Sequence, residues 1–401
     1  MRTVNGGLRQ TVNTRIEHRP VFDNDLPGGN GEAVGWDEAH GALKIRPELK
    51  DGSPYRAWFF FRLRHLIPGR TYTLGLVENY FAGIYSYTYA MDGPWRQFAS
   101  CRKDANTDFT FTIEPSRDTL YVAMMPPYRL EHLQRLIQEL TPGRSFSAGA
   151  CWSSEEGRAG MVLRVCDHGD RPGLFRVWIT ARMHGFEAVS SWVAEGLVRW
   201  AVSPDPDAQW LRGSAELFVA PLVDVDSVER GGTGKHRAPI CFARDAGHSP
   251  HWKAIRSLVQ TWKEQGPPDI HLDLHGPGGD VEDIYFYAPE TKLTSPKYEA
   301  DLARFAGILA ETRLARISFN KRMYRCPLGP DYLGQDMAGT SYLYLHRQYF
   351  GENRLKLALG IETPWGMPGY DTEAFLQCGA DYGRTISRFL RDSSPIHEVP
   401  A

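Results

Sequence analysis

Apolar positions along this chain change their period twice. Between Ala57 and Met124 they fall in short runs: Ala57 to Leu63, Thr71 to Val77, Gly83 to Tyr89, Phe109 to Ile113 and Thr119 to Met124. Ile67-Pro68-Gly69 and Asp92-Gly93-Pro94 supply turn chemistry between them, which predicts antiparallel strands. Leu130, Leu133, Leu136, Ile137 and Leu140 then recur at helical spacing until Thr141-Pro142-Gly143 stops the run. Further on, strand-like stretches at 174–181, 216–222 and 269–274 alternate with helix-like stretches at 187–201, 251–264, 296–312 and 371–391. Such alternation predicts an α/β fold, a mixed and largely parallel sheet with helices on both faces, preceded by a small antiparallel β-sandwich. The expected organisation is a flexible N-terminal arm over 1–45, where Gly, Asn and charge dominate, a sandwich domain over 46–145, an α/β domain over 146–392 and a tail over 393–401.

Length agrees with more than one core, since 401 residues exceed what a single core usually organises. A formal net charge of −2 removes the broad basic footprint of a nucleic-acid binder, so no nucleic-acid partner is expected. The six cysteines are dispersed with no C-x-x-C pair, against both a zinc knot and a secreted disulfide framework. Met1 to Gln10 lacks the apolar run of a signal peptide, and no stretch has the apolar length of a membrane span. The expectation is a cytoplasmic protein without a membrane partner. The sequence carries no indication of oligomeric state.

Chemistry enters where the strand Leu174 to Ala181 runs into the helix carrying Val189, Trp192, Val193 and Leu197. At that turn His184 and Glu187 stand three residues apart, outside the carboxyl end of a strand, where open α/β sheets keep their ligands. A lone H-x-x-E has an ordinary reading too, a surface His and a first-turn Glu favoured by the helix dipole. In Ile270-His271-Leu272-Asp273-Leu274-His275-Gly276-Pro277, alternation places His271, Asp273 and His275 on one face, with His275 at the strand exit. His271 reads as a core or edge residue, whereas His275 occupies the place on its strand that His184 has on its own. Two imidazoles and a carboxylate form the ligand set of an open catalytic zinc site, one ion per chain, with a fourth position left over. Glu362 leaves another short apolar run, Leu357 to Ile361, and is a candidate general base. The loop Gly231-Gly232-Thr233-Gly234-Lys235-His236-Arg237 lacks the spacing of a phosphate loop; with Arg244 it offers two guanidinium groups for a carboxylate or an oxyanion.

The order of these parts, H-x-x-E, a Gly and Arg loop, D-L-H and a Glu after an apolar strand, resembles the zinc carboxypeptidases of the M14 family. Trp58-Phe59-Phe60-Phe61-Arg62 and Ala123-Met124-Met125-Pro126-Pro127-Tyr128 are similar to stretches of the cytosolic carboxypeptidase branch, so the resemblance covers roughly 55 to 390. It implies that His184, Glu187 and His275 bind Zn2+, that Glu362 is the general base and that Arg237 polarises the scissile carbonyl. It also implies that Arg244 grips the terminal carboxylate of the substrate, that Tyr342 or Tyr344 caps it, and that Arg347, fifteen residues before Glu362, favours acidic side chains. Three positions depart from the family pattern. Gly185 replaces a proline, Asp224-Val225-Asp226-Ser227 stands for Asn-Pro-Asp-Gly, and Ala243 stands where an Asn would pair with Arg244.

The expected function is therefore zinc-dependent hydrolysis of C-terminal residues from peptides or protein tails, with Glu or Asp preference as a finer expectation. Ala243 keeps open a zinc amidase or deacylase acting on a small molecule or cell-wall peptide. A catalytically silent zinc-binding protein is the third reading.

Overall fold

The computed structural model describes residues 19–38, 41–80, 87–99, 101–102, 109–169, 171, 173–237, 241–244, 253, 268–277, 281–327 and 355–393. The amino-terminal part contains β1 (Val21–Asp23), β2 (Glu32–Asp37), β3 (Ala42–Arg46), β4 (Phe60–Arg64), β5 (Tyr72–Leu76), β6 (Thr88–Ala90), β7 (Arg96–Gln97), β8 (Cys101–Arg102), β9 (Phe109–Ile113) and β10 (Leu120–Ala123). They form two sheets, in the orders β1-β4-β10-β6-β7 and β2-β3-β5-β9-β8. Pairing is antiparallel except between β3 and β5. Phe61, Leu63, Leu74, Phe111, Leu120 and Val122 are buried in their core.

Residues 19–46 correct one expectation. The arm expected over 1–45 contributes β1 to β3, and Leu43 and Ile45 are buried. Period-two alternation at Leu43 and Ile45 was masked by the Gly, Asn and charged residues around it; residues 1–18 lie outside the described residues.

Helix α1 (Leu130–Leu140) follows, with the bounds its apolar spacing predicts. The chain then enters the large sheet through the hairpin of β11 (Phe146–Ser153) and β12 (Ala159–Val165). Next come β13 (Phe175–Ala181), α2 (Ala188–Ala201), α3 (Pro206–Ser214), β14 (Ala215–Ala220), α4 (Val225–Arg230), β15 (Ile270–His275) and β16 (Asp283–Pro289). Helix α5 (Pro296–Thr312), β17 (Ser318–Cys326), β18 (Leu357–Glu362) and α6 (Thr372–Arg391) complete the chain. The sheet order is β11-β12-β14-β13-β15-β18-β16-β17. Its centre, β14-β13-β15-β18, is parallel, as expected from the alternation, while β11, β12 and the β16–β18 pair run antiparallel. Of the helix expected over 251–264 only Lys253 is described, and it is helical.

Helix α2 differs from the amphipathic element its sequence suggested, because every residue but Arg199 is buried. One side lies on the sheet and another on α6. There the backbones approach so closely that a Cβ on Gly196 would stand 2.0 Å from Leu376 O, and one on Gly379 2.0 Å from Val193 O. Trp192 on a third side meets Tyr128 edge-on at 4.9 Å and donates Nε1–H to Pro126 O at 2.9 Å. A single apolar cluster thus runs from the amino-terminal sheets through α2 into the large sheet. Among the described residues no helix is long and apolar enough to cross a membrane.

Candidate metal centre

Strands β13, β15 and β18 are parallel neighbours, so their carboxyl ends deliver side chains to one edge of the sheet. At the end of β13 the backbone turns sharply: Arg182 adopts φ +65°, a left-handed conformation that costs a non-glycine residue energy and is retained where packing enforces it. Packing around Arg182 enforces it here. Arg182 is fully buried, its Nε donates to Gly185 O at 2.7 Å, its amide donates to Ser190 Oγ at 3.0 Å, and its guanidinium lies 6.0 Å from the Trp58 ring. Burial pushes this guanidinium down to about 9 against the pull of Glu187 and Asp224. The turn sets His184 above the sheet edge and leaves Glu187 as the residue preceding the first turn of α2.

His184, Glu187 and His275 converge as buried neighbours whose candidate ligand atoms all lie within 4.8 Å of one another. His184 Nδ1 stands 2.6 Å from Glu187 Oε1, and His275 Nδ1 stands 2.9 Å from Glu187 Oε2. The second nitrogen of His275 is committed elsewhere, 3.1 Å from Asp273 Oδ2, and Thr180 Oγ1 donates to Asp273 Oδ1 at 2.8 Å. An imidazole held from behind on one nitrogen by a carboxylate, with the other facing the ligand set, is the usual arrangement of a metal-ligating histidine. Burial lowers His184 to about 4 despite Glu187 beside it, whereas Asp273 and Glu187 outweigh burial to raise His275 well above its ordinary range, and the neighbouring imidazoles outweigh burial to hold the Glu187 carboxyl well below its own. A metal ion needs neutral imidazoles and an ionised carboxylate, so binding it here displaces the proton of His275, and two imidazole nitrogens with one carboxylate are usual zinc donors. The donor set therefore fits zinc.

Glu362 is the register partner of His275 across the β15–β18 pair. Its Oε2 is shielded from solvent and has no hydrogen-bond partner among the described residues, and burial, with Glu187 adding to it, raises the carboxyl to about 7 against the pull of His275. A carboxyl poised near neutrality beside a ligand set is suited to accepting and returning a proton.

Arg237 is buried on the Gly-rich loop. Its guanidinium lies 3.8 Å from Asp224 Oδ1 and 4.8 Å from the centre of the Phe242 ring, and it reaches Ser227 Oγ at 3.5 Å. The loop is tied to the metal turn because Phe186 N donates to Thr233 O at 3.1 Å. Glycine at 185 also finds its reason here: a Cβ would stand 2.7 Å from Ser227 Cβ, so the proline of the family pattern has no room. Arg244 closes a turn through its amide to Cys241 O at 2.9 Å, and its charge acts on Tyr55 and Cys241. Ala243 before it is buried. Tyr342, Tyr344 and Arg347 lie outside the described residues. His271 is a core residue of β15, as expected. Three neighbours were given no role from the sequence: Asp273 behind His275, Ser227 beside Arg237, and Asp51, which Ser227 contacts. Only Asp273, two residues before His275 on the same strand face, carried a readable signal.

Residues 147–256 match the family model described as zinc carboxypeptidase. Among curated proteins the chain is similar to cytosolic carboxypeptidase 2 of Danio rerio, 26% identical over 66% of this chain and 42% of that protein. It is also similar to cytosolic carboxypeptidase 6 of Homo sapiens, 22% identical over 94% of this chain and 80% of that protein. The chain spans less than half the length of the first curated relatives it matches. Among solved structures it is similar to a metallo-carboxypeptidase from Pseudomonas aeruginosa, with TM-score 0.78, 21% identity, and coverage of 92% of this chain and 99% of that one. A metallo-carboxypeptidase from Burkholderia cenocepacia gives TM-score 0.79 at 20% identity over 93% and 99%. These likenesses establish a carboxypeptidase-like fold.

Proposed function

We propose that this chain, with its zinc carboxypeptidase domain, is a zinc-dependent carboxypeptidase that removes C-terminal residues from peptides or protein tails. The observation that carries the reading is the convergence of His184, Glu187 and His275 at the carboxyl edge of the parallel strands, with Glu362 paired in register to His275. His184, Glu187 and His275 would hold zinc, which would supply Lewis acidity toward the scissile carbonyl. Glu362 takes a proton from the water that attacks the scissile carbonyl and returns it to the departing amine. Arg237, a buried guanidinium, donates to the oxygen on which negative charge develops. Arg244, with Tyr342 or Tyr344, anchors the terminal carboxylate, and Arg347 selects acidic side chains.

The test separates base from ligand. Glu362→Gln should retain zinc at wild-type stoichiometry while turnover of a peptide substrate falls by roughly a hundred- to ten-thousand-fold. His184→Ala should lose the metal itself. Wild-type turnover in Glu362→Gln would remove Glu362 from the chemistry, and absence of stoichiometric zinc in the wild type would overturn the zinc-dependent reading. Arg347→Ala, assayed on peptides ending in Glu and in Leu, tests the acidic preference.

Buried Ala243 favours one second reading, an amidase or deacylase without a complete carboxylate anchor, because the methyl group cannot supply the donor that an Asn would. Comparing a peptide with its C-terminal amide decides between them: equal rates point to the amidase.

A further inference from the structure

The loop that carries Arg237 is held from outside the large sheet, by residues 51–55 between β3 and β4. Asp51 Oδ2 accepts hydrogen bonds from Ser227 Oγ at 2.6 Å and from Gly234 N at 2.8 Å. Ser53 Oγ donates to Lys235 O at 2.7 Å, Thr233 Oγ1 donates to Tyr55 O at 3.0 Å, and Tyr55 OH lies 3.0 Å from His236 Nδ1. The fit is close enough to require glycine on the other side. A Cβ on Gly232 would stand 2.1 Å from Asp51 Oδ2, and one on Gly234, at φ +71°, would stand 2.2 Å from Gly185 N in the metal turn. Residues 232–234 are thus clasped between Asp51 and the turn that presents His184.

We propose that Asp51 is a positioning residue for the reaction, acting on Arg237 through Ser227 and through the Gly234 amide. This rests on the reading of Arg237 as the oxyanion donor. A serine hydroxyl has one proton and two lone pairs. Ser227 gives its proton to Asp51, which leaves a lone pair to accept from the Arg237 guanidinium 3.5 Å away. Without the carboxylate the hydroxyl is free to turn its proton toward Arg237, and the amide of Gly234 loses its acceptor. Both changes loosen the guanidinium, and a displacement of about 1 Å in a catalytic group can cost on the order of a hundred-fold in rate. Asp51 itself sits at φ +58°, which aspartate, asparagine and glycine tolerate better than other residues.

The experiment compares D51G and D51N in the full-length, zinc-loaded protein; both accept the left-handed backbone, and only Asn keeps a side-chain oxygen acceptor. For D51G, kcat on a peptide substrate should fall by roughly ten- to a hundred-fold, with KM and bound zinc little changed, and D51N should recover most of the loss. In an R237A background D51G should add almost nothing, because the residue acts through that arginine. Wild-type kcat in D51G, or an equal loss with and without Arg237, would overturn the proposal. Amide exchange over residues 231–237 gives a reading independent of activity: faster exchange there in D51G, with the β13 amides of 177–181 unchanged, supports the clasp, and unchanged exchange over 231–237 overturns it. If the wild type cleaves no peptide, the carboxypeptidase reading fails and the exchange measurement alone decides whether Asp51 holds the loop.

Discussion

The imidazole of His275 is held by two carboxylates with different tasks. Glu187 faces Nδ1 across the ligand set, and Asp273 takes the other nitrogen from behind while fastened to Thr180. Asp273→Asn keeps the shape and replaces the negative charge that favours an Nε2–H donor. Zinc affinity should fall by roughly ten- to a hundred-fold, measured by competition with a chelator, since partners behind metal-ligating histidines typically carry that much. An unchanged affinity would reduce Asp273 to a core residue. Such side chains differ in how far the sequence reveals them. His184, Glu187, His275 and Glu362 each follow an apolar strand, which is legible in the sequence, while their grouping at one site came from the order of motifs shared with the resembled family. Asp273 shares a face with His275 and was legible in position, while its task was not. Asp51 had no signal, because Ser227 lies 176 residues away and loops acquire partners only through the finished fold.

Among the elements, α2 and α6 form the tightest crossing. Gly379→Ala would place a Cβ 2.0 Å from Val193 O, forcing the helices apart. Overpacking of this kind costs about 1–3 kcal/mol, so the melting temperature should drop by several degrees. Because Glu187 precedes α2 directly, a tilted α2 should also weaken zinc binding; a calorimetric scan with and without zinc reads both effects. An unchanged melting temperature would mean that the crossing yields more easily than its geometry indicates. Helices α1, α2, α5 and α6 were read close to their bounds from sequence, whereas the shorter α3 and α4 were not. Helix α5 begins at Pro296 because Ser295 Oγ accepts from Tyr298 N at 3.1 Å, a cap written in the residue types themselves. Strands β1 to β3 were hidden in a Gly-rich stretch. The β11–β12 hairpin was missed because β11 is largely solvent-facing and lacks clean alternation.

Across the molecule the amino-terminal sheets and the large sheet share one apolar cluster. Trp192 joins α2 to Tyr128 and Pro126, Trp58 Nε1 donates to Gly28 O beneath Arg182, and Gly28 N donates to Glu229 O. A division into separately stable halves would have to expose this shared surface. Thermal unfolding should therefore be a single transition by calorimetry, shifted upward by zinc in proportion to the logarithm of its free concentration over its dissociation constant. Two resolved transitions would show that the halves fold independently.

The register that pairs His275 with Glu362 acts as a ruler. Their separation is a property of neighbouring strands, which lie about 4.8 Å apart in any sheet, and no loop contributes to it. The chain between Cys326 and Leu355, which bears Tyr342, Tyr344 and Arg347, can consequently gain, lose or exchange residues while the distance from metal ligand to proton acceptor stays fixed. Under the proposed function, in which Tyr342, Tyr344 and Arg347 meet the substrate, selectivity can change on that segment while the reactive spacing is inherited unchanged from the hydrogen-bonded ladder of β15 and β18.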